Sequence, residues 1–186
     1  MSPLSLNYHT EAELIGLCLE GDRVASEQLF DLYSRKMMAV CFRFARDMNE
    51  AEDILQEGFI RIFTKLNLYS GTGSFEAWMK RVMINTALKY RQRYIVKYNY
   101  SDLADQQFFD NTPTIIDDLS EHEILKLVNS LPDGYKTIFN LYVIEGYSHR
   151  DISEMLGIGE STSRSQLVKA RGMLKQKLMT LKKLAG

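Results

Sequence analysis

The sequence holds little of what builds reactive or membrane-bound sites. Its 186 residues include two cysteines, Cys18 and Cys41, and three scattered histidines, His9, His122 and His149. Two cysteines make neither a disulfide framework nor a four-thiolate zinc site. Both read as small buried residues on helix faces, in a reducing compartment. There is no P-loop and no HExxH pair, so an enzyme would need an acid–base pocket that the sequence does not display. No catalytic residue, metal or cofactor is therefore assigned. No apolar run approaches the roughly 20 residues of a membrane span, and no charged-then-apolar leader opens the chain. The expectation is a soluble, cytoplasmic protein without membrane insertion. With only three prolines and abundant Leu, Met, Glu, Lys and Arg, helix is favoured over sheet.

Helical periodicity is what the chain does have. Thr10 with Glu13 forms a capping-box signature before Leu14, Ile15, Leu17 and Leu19, and Gly21 is placed to stop that helix. From about Val24 to Arg46, an apolar face comprises Leu29, Phe30, Leu32, Tyr33, Met37, Val40, Cys41 and Phe44. Asn49 with Glu52 reads as the start of a third helix, with Leu55, Phe59, Ile62, Phe63 and Leu66 as its stripe. A glycine-punctuated loop, Tyr69 to Ser74, precedes a helix carrying Phe75, Trp78, Met79 and Val82, which is read to about Tyr94. From Tyr98 to Ser120 no period is evident; five aspartates and no Lys or Arg mark an acidic flexible linker. Beyond it, Leu131-Pro132-Asp133 opens a helix through Ile138 and Leu141 that Gly146 closes. The fold class is all-α, two small helical domains at residues 1–97 and 121–186 joined by a linker at 98–120.

A formal net charge of −1 conceals sorted charge. Lys80, Arg81, Lys89, Arg91, Arg93 and Lys97 lie in a stretch with no acid. Arg164, Lys169, Arg171, Lys175, Lys177, Lys182 and Lys183 do the same near the C-terminus. A charge run is often only a solvated face, but one basic block on the last helix of each domain suits a polyanion. Each phosphate neutralised on DNA releases counterions.

Ser148 to Lys175 carries the most information. A short helix capped by Ser148 and Asp151, a turn at Gly157-Ile158-Gly159 and a longer basic helix make a helix-turn-helix. Its second helix lies in the major groove with its N-terminal residues toward the bases. Those are Glu160, Ser161, Thr162, Arg164, Ser165 and Gln166, where Arg suits guanine and Gln suits adenine. Lys169 and Arg171 suit phosphates. Leu156, Ile158, Leu167, Val168 and Leu174 are the expected core of this unit, and His149 is expected to be simply exposed.

Together these segments resemble a family. Asn49-Glu-Ala-Glu-Asp-Ile-Leu-Gln-Glu-Gly-Phe-Ile-Arg-Ile-Phe63 resembles region 2.2 of bacterial sigma factors. Phe75-Glu-Ala-Trp-Met-Lys-Arg-Val-Met-Ile-Asn-Thr-Ala-Leu-Lys-Tyr90 is similar to their regions 2.3 and 2.4. Leu131-Pro-Asp-Gly-Tyr-Lys-Thr-Ile-Phe139 and the helix-turn-helix resemble region 4. The order, the spacing and the absence of an intervening domain match the extracytoplasmic-function (ECF, group 4) sigma factors of the sigma-70 family.

The resemblance implies a promoter-specificity subunit that binds core RNA polymerase, recognises −10 and −35 elements and promotes DNA melting. It implies that Asp53, Gln56 and Glu57 meet the β′ clamp helices, and that region 4 meets the β flap. For the −10 element it implies Gly73, Ser74, Trp78, Lys80, Arg81, Asn85, Lys89 and Arg93. For the −35 duplex it implies Ser161, Thr162, Arg164, Ser165, Gln166, Lys169 and Arg171. An anti-sigma factor is a further partner of many members. Ser153 and Ser163 depart from the small or branched apolar residues that members place there. Two other readings compete: a DNA-binding regulator that never engages polymerase, which leaves the first hundred residues unexplained, and a polymerase-binding adaptor that reads no promoter.

Overall fold

A computed structural model describes residues 10–98 and 121–185, with side chains described for 10–92 and 124–181. The expected linker from 99 to 120 lies outside the described residues. The described residues form helices and no strand, in the order α1 (Glu11–Leu19), α2 (Arg23–Phe44), α3 (Met48–Thr64), α4 (Phe75–Tyr98), α5 (Glu121–Asn129), α6 (Asp133–Phe139), α7 (His149–Leu156) and α8 (Glu160–Ala185). The chain divides into two compact units, Met1–Tyr90 and Arg91–Gly186.

Short polar side chains start the helices of the first unit. Thr10 and Glu13 form the expected capping box, with Glu13 N–H donating to Thr10 Oγ1 at 3.3 Å and Thr10 N–H to Glu13 Oε2 at 2.7 Å. Gly21, at φ +86°, turns the chain into α2, whose cap is Asp22. The start of α3 differs from the sequence reading. Asp47 is the cap, taking the Glu50 N–H at 2.8 Å, while Glu50 reaches back to Arg46 N–H and Nε at 2.6 and 2.9 Å. An Asp followed by a Glu three residues on takes the capping position, and Asn49, two residues later, lies inside the first turn.

Three helix faces enclose the core of this unit. α2 contributes Leu29, Met37, Val40, Cys41 and Phe44; α3 contributes Ala51, Ile54, Phe59 and Ile62; α4 contributes Phe75, Met79, Met83 and Ile84. Each such large side chain is worth about 1.5–3 kcal/mol when fully buried. Cys41 lies 3.9 Å from the Met83 sulfur, and burial pushes its thiol up to about 12, so it is an inert core residue. Cys18 is half-buried rather than buried. Phe30 and Leu32, read into the apolar face of α2, are 37% and 54% exposed; Phe30 still lays its ring on Phe59, 4.6 Å between centroids.

Gly58 on α3 leaves room for a side chain of α4. A Cβ there would sit 2.1 Å from the Met83 sulfur and 2.9 Å from its methyl carbon. Met83 is itself fully buried.

In the second unit, Pro132 caps α6, and the helix then widens into one π turn, Asn140–Ile144, before Gly146 at φ +77° ends it. Glu145 N–H bonds Asn140 O and Tyr147 N–H bonds Leu141 O, both at 3.0 Å. Ser148 and Asp151 form a capping box on α7, and Gly157 ends it in the left-handed conformation at φ +67°. α8 packs on α5, α6 and α7. The core is Val128, Leu131, Ile138, Leu141, Ile152, Leu167 and Ala170. Val168 is not part of it: its side chain is 70% exposed. The neighbouring Leu167 takes the inward position, and Val168, about 100° further around the helix, falls outside the face that packs on α6 and α7. Leu156, Ile158 and Leu174 are half-buried at the margin.

Replacing Gly58 with Leu should lower stability by roughly 1–3 kcal/mol, the usual cost of overpacking a closed core. Thermal unfolding of the variant against the parent checks this, and a Met83→Ala change made with it should restore part of the loss.

Candidate nucleic-acid and polymerase interface

Three exposed helix faces hold most of the residues singled out from sequence. On α3, Asp53 and Gln56 are exposed and Glu57 is half-buried, a one-face set by its three- and four-residue spacing. The Tyr90 hydroxyl donates to Asp53 Oδ2 at 2.9 Å, a bond that raises the tyrosine's own pKa because ionisation would place two anions together. Glu57 accepts from Arg61 Nη2 at 2.5 Å and Nε at 3.2 Å. Ile60, 67% exposed, continues this face by another turn and was missed from sequence. Its signal was an apolar residue at the spacing of the acids rather than of the stripe.

On α4, Arg81, Asn85 and Lys89 are exposed at four-residue spacing, with half-buried Trp78 at the head of the same line. Trp78 stacks on fully buried Phe75 with 5.6 Å between centroids and 17° between planes, and Tyr69 closes on it at 5.7 Å. One part of the indole is thus fixed and part is open. Lys80 is not brought to this line. It lies about 200° around the helix from Trp78, where it pairs with Glu76 at 2.8 Å; Lys36 of α2 holds the other Glu76 oxygen at 2.7 Å. These bonds, Lys36 first, hold the Glu76 carboxyl below its ordinary value. Gly71 and Gly73 have φ of +73° and +80°, conformations that glycine adopts without strain. The Tyr69 hydroxyl donates to Gly73 O at 2.8 Å, and Ser74 caps α4 through Ala77 N–H at 3.3 Å. The Arg93 side chain lies outside the described ones.

On α8, Ser161, Thr162, Ser165 and Lys169 point away from the core, with Arg164 and Arg171 exposed to one side. Val168, which the sequence reading sent to the core, stands in the middle of this face. Gln166 is half-buried; its Oε1 lies 3.6 Å from where a Cβ of Gly134 would be, so the amide sits against α6 rather than on the outward face. Arg164 is ion-paired with Glu160.

Ser163 and His149 turn out to be partners. Ser163 is fully buried, and its Oγ lies 2.8 Å from His149 Nδ1. The imidazole stacks on Tyr142 of the π turn at 4.4 Å. His149 is therefore half-buried and bonded, not simply exposed, because a serine hydroxyl placed in the core needs a partner.

Comparisons with known proteins identify the family. Residues 29–94 match the family model for sigma-70 region 2, and residues 121–174 match that for sigma-70, region 4. The chain belongs to the sigma-70 family of RNA polymerase sigma factors, transcription initiation factors rather than enzymes. Within the family it is of the extracytoplasmic-function type. It is 27% identical to the RNA polymerase sigma-H factor of Pseudomonas aeruginosa, over 95% of this chain and 97% of that one. It is also 27% identical to the ECF RNA polymerase sigma-E factor of Haemophilus influenzae, over 92% and 97%. The solved structure of the sigma factor RpoE in complex with the anti-sigma factor NepR from Bartonella quintana shares the fold. The TM-score is 0.56 at 19% identity, over 82% of this chain and 96% of that one. Among the described residues no helix is long and apolar enough to cross a membrane.

The His149 environment predicts a pH dependence. Burial first, then Arg164 and Arg171 against an opposing Glu160, hold its pKa below the ordinary 6.5. Below that value the unfolded chain binds a proton that the folded chain refuses, so stability falls as the pH drops. Urea unfolding at about pH 7.5 and about pH 5.5 should show a larger loss for the parent than for His149→Gln.

Proposed function

We propose that the chain divides its work as its faces are divided. Residues 1–97 dock on core polymerase through Asp53, Gln56 and Glu57 and take the −10 element, while residues 121–186 read the −35 duplex. The protein acts in the cytoplasm as a stoichiometric subunit.

The observation that carries this reading is the sidedness of α8. Ser163, Leu167 and Ala170 are buried while Ser161, Thr162, Ser165, Val168 and Lys169 face outward. That geometry is what a helix needs to enter a major groove while its unit stays folded. Ser161, Thr162 and Ser165 supply short hydroxyls to base edges, Val168 an apolar surface, and Lys169, Arg164 and Arg171 charge for phosphates. Gln166 enters a base contact only if it leaves α6.

For the −10 element, Arg81, Asn85 and Lys89 form a track beside the open part of Trp78. Cations hold the strand, the amide reads a base edge, and the indole offers a stacking surface to an unpaired base. Gly73 and Ser74 let the backbone approach that strand, and Arg93, four residues after Lys89 in the sequence, is a further cation for it. Lys80, paired with Glu76 on another side, contributes to the general field rather than to the track. An anti-sigma factor would act by covering the α3 and α8 faces.

Transcription from fragmented genomic DNA by purified core polymerase, with and without the protein, followed by sequencing of RNA 5′ ends, tests the reading. Discrete new starts that share two upstream elements are expected. Core binding without starts would instead indicate an adaptor. The pair Arg164→Ala and Lys169→Ala should abolish starts that depend on the −35 element while core binding, measured separately, stays within about twofold, because surface changes far from an interface act nearly independently of it.

A further inference from the structure

The carboxylates of α3 are not equivalent. Glu50 is buried and bound by the Arg46 backbone and guanidinium. Glu57 is half-buried and held by the Arg61 guanidinium at 2.5 Å, so its charge is largely compensated. Glu52 is exposed on a longer side chain that must give up its rotamer freedom on docking. Asp53 differs from all three. It is exposed, and the side chain that holds it is the neutral hydroxyl of Tyr90, reaching from α4 at 2.9 Å.

A neutral donor orients a carboxylate without cancelling its charge. One oxygen is held, and the other keeps its lone pairs for a cation. Orientation before encounter removes part of the ordering cost of binding. Tyrosine suits the task because it is stiff, with two side-chain torsions. Removal of its proton is opposed by Asp53 itself, so it stays a donor at neutral pH. The bond also ties the docking helix to the helix that bears Trp78, Arg81, Asn85 and Lys89.

We propose that Tyr90 is a positioning residue for polymerase docking: its hydroxyl fixes the uncompensated Asp53 carboxylate for a cationic side chain of core polymerase, making Asp53 rather than Glu57 the charged contact of α3. This rests on the assignment of the α3 face to core polymerase made above.

A double-mutant cycle on the full chain tests it, with affinity for purified core polymerase measured at several salt concentrations. Tyr90→Phe should weaken binding about tenfold, the usual loss for a hydrogen bond to a charged group. Asp53→Ala should weaken it at least as much and flatten the salt dependence. In the Asp53→Ala background, Tyr90→Phe should add nothing, an outcome that a merely structural tyrosine would not produce. Glu52→Gln should stay within about threefold, and thermal melts of Tyr90→Phe report whether it folds as the parent does. Additive losses in the cycle, or a Glu57→Gln effect larger than that of Asp53→Ala, would overturn the inference while leaving the docking face intact. Full binding by Asp53→Ala, Gln56→Ala and Glu57→Gln combined would overturn the docking face and the inference with it.

Discussion

The seating of the Met83 side chain of α4 against Gly58 of α3 is the constraint on which the first unit rests. Gly58 contributes no side chain, and the Met83 thioether occupies the space its Cβ would need. Met is suited to that space because its unbranched chain bends to fit an irregular gap. The bond from the Tyr90 hydroxyl to Asp53 is a second link between α3 and α4. At the head of α4, Phe75 is fully buried against Tyr33 and Tyr69 and serves as a floor for Trp78.

Charge is handled by local pairing more than by net balance. Acids that lie near the core are matched to bases within one turn or across one helix gap: Glu50 with Arg46, Glu57 with Arg61, and Glu76 with Lys36 and Lys80. Exposed pairs of this kind add little to stability. Their larger effect is on what remains. Once these acids are matched, Arg81 and Lys89 on α4, and Lys169 and Arg171 on α8, are left on outward faces within stretches free of acid. A chain of formal charge −1 can therefore present two basic surfaces.

The second unit depends on a different device, a polar group in its core. Ser163 sits where a helix-turn-helix buries its second helix, and a lone hydroxyl there would carry a desolvation cost. His149 meets it from α7, and Tyr142 backs the ring from the π turn. Three elements thus converge on one small residue at the head of α8, fixing its rotation and with it the residues that face outward.

Much of the fold was written in the sequence. Capping residues at Thr10, Ser74 and Ser148, the glycines at 21, 146 and 157 and the apolar spacing placed nearly every helix, because caps and periodicity are local. The helix-turn-helix and most of its outward residues were legible for the same reason. What local pattern could not decide was which way each helix is rotated. Val168 was read as core and is open; Gln166 was read as a base contact and rests on α6; Lys80 was grouped with Arg81 and lies on another side. Adjacent residues on a helix point about 100° apart, so a small error in assumed rotation moves a side chain from core to surface. The partners of His149, Ser163, Asp53 and Tyr90 are separated by 14 and 37 positions in the chain. Composition, capping and spacing determined that this protein is helical, divided and basic on two helices. Only the packing of one helix on another decided which hydroxyl meets which carboxylate, because such bonds depend on distances that no single helix contains.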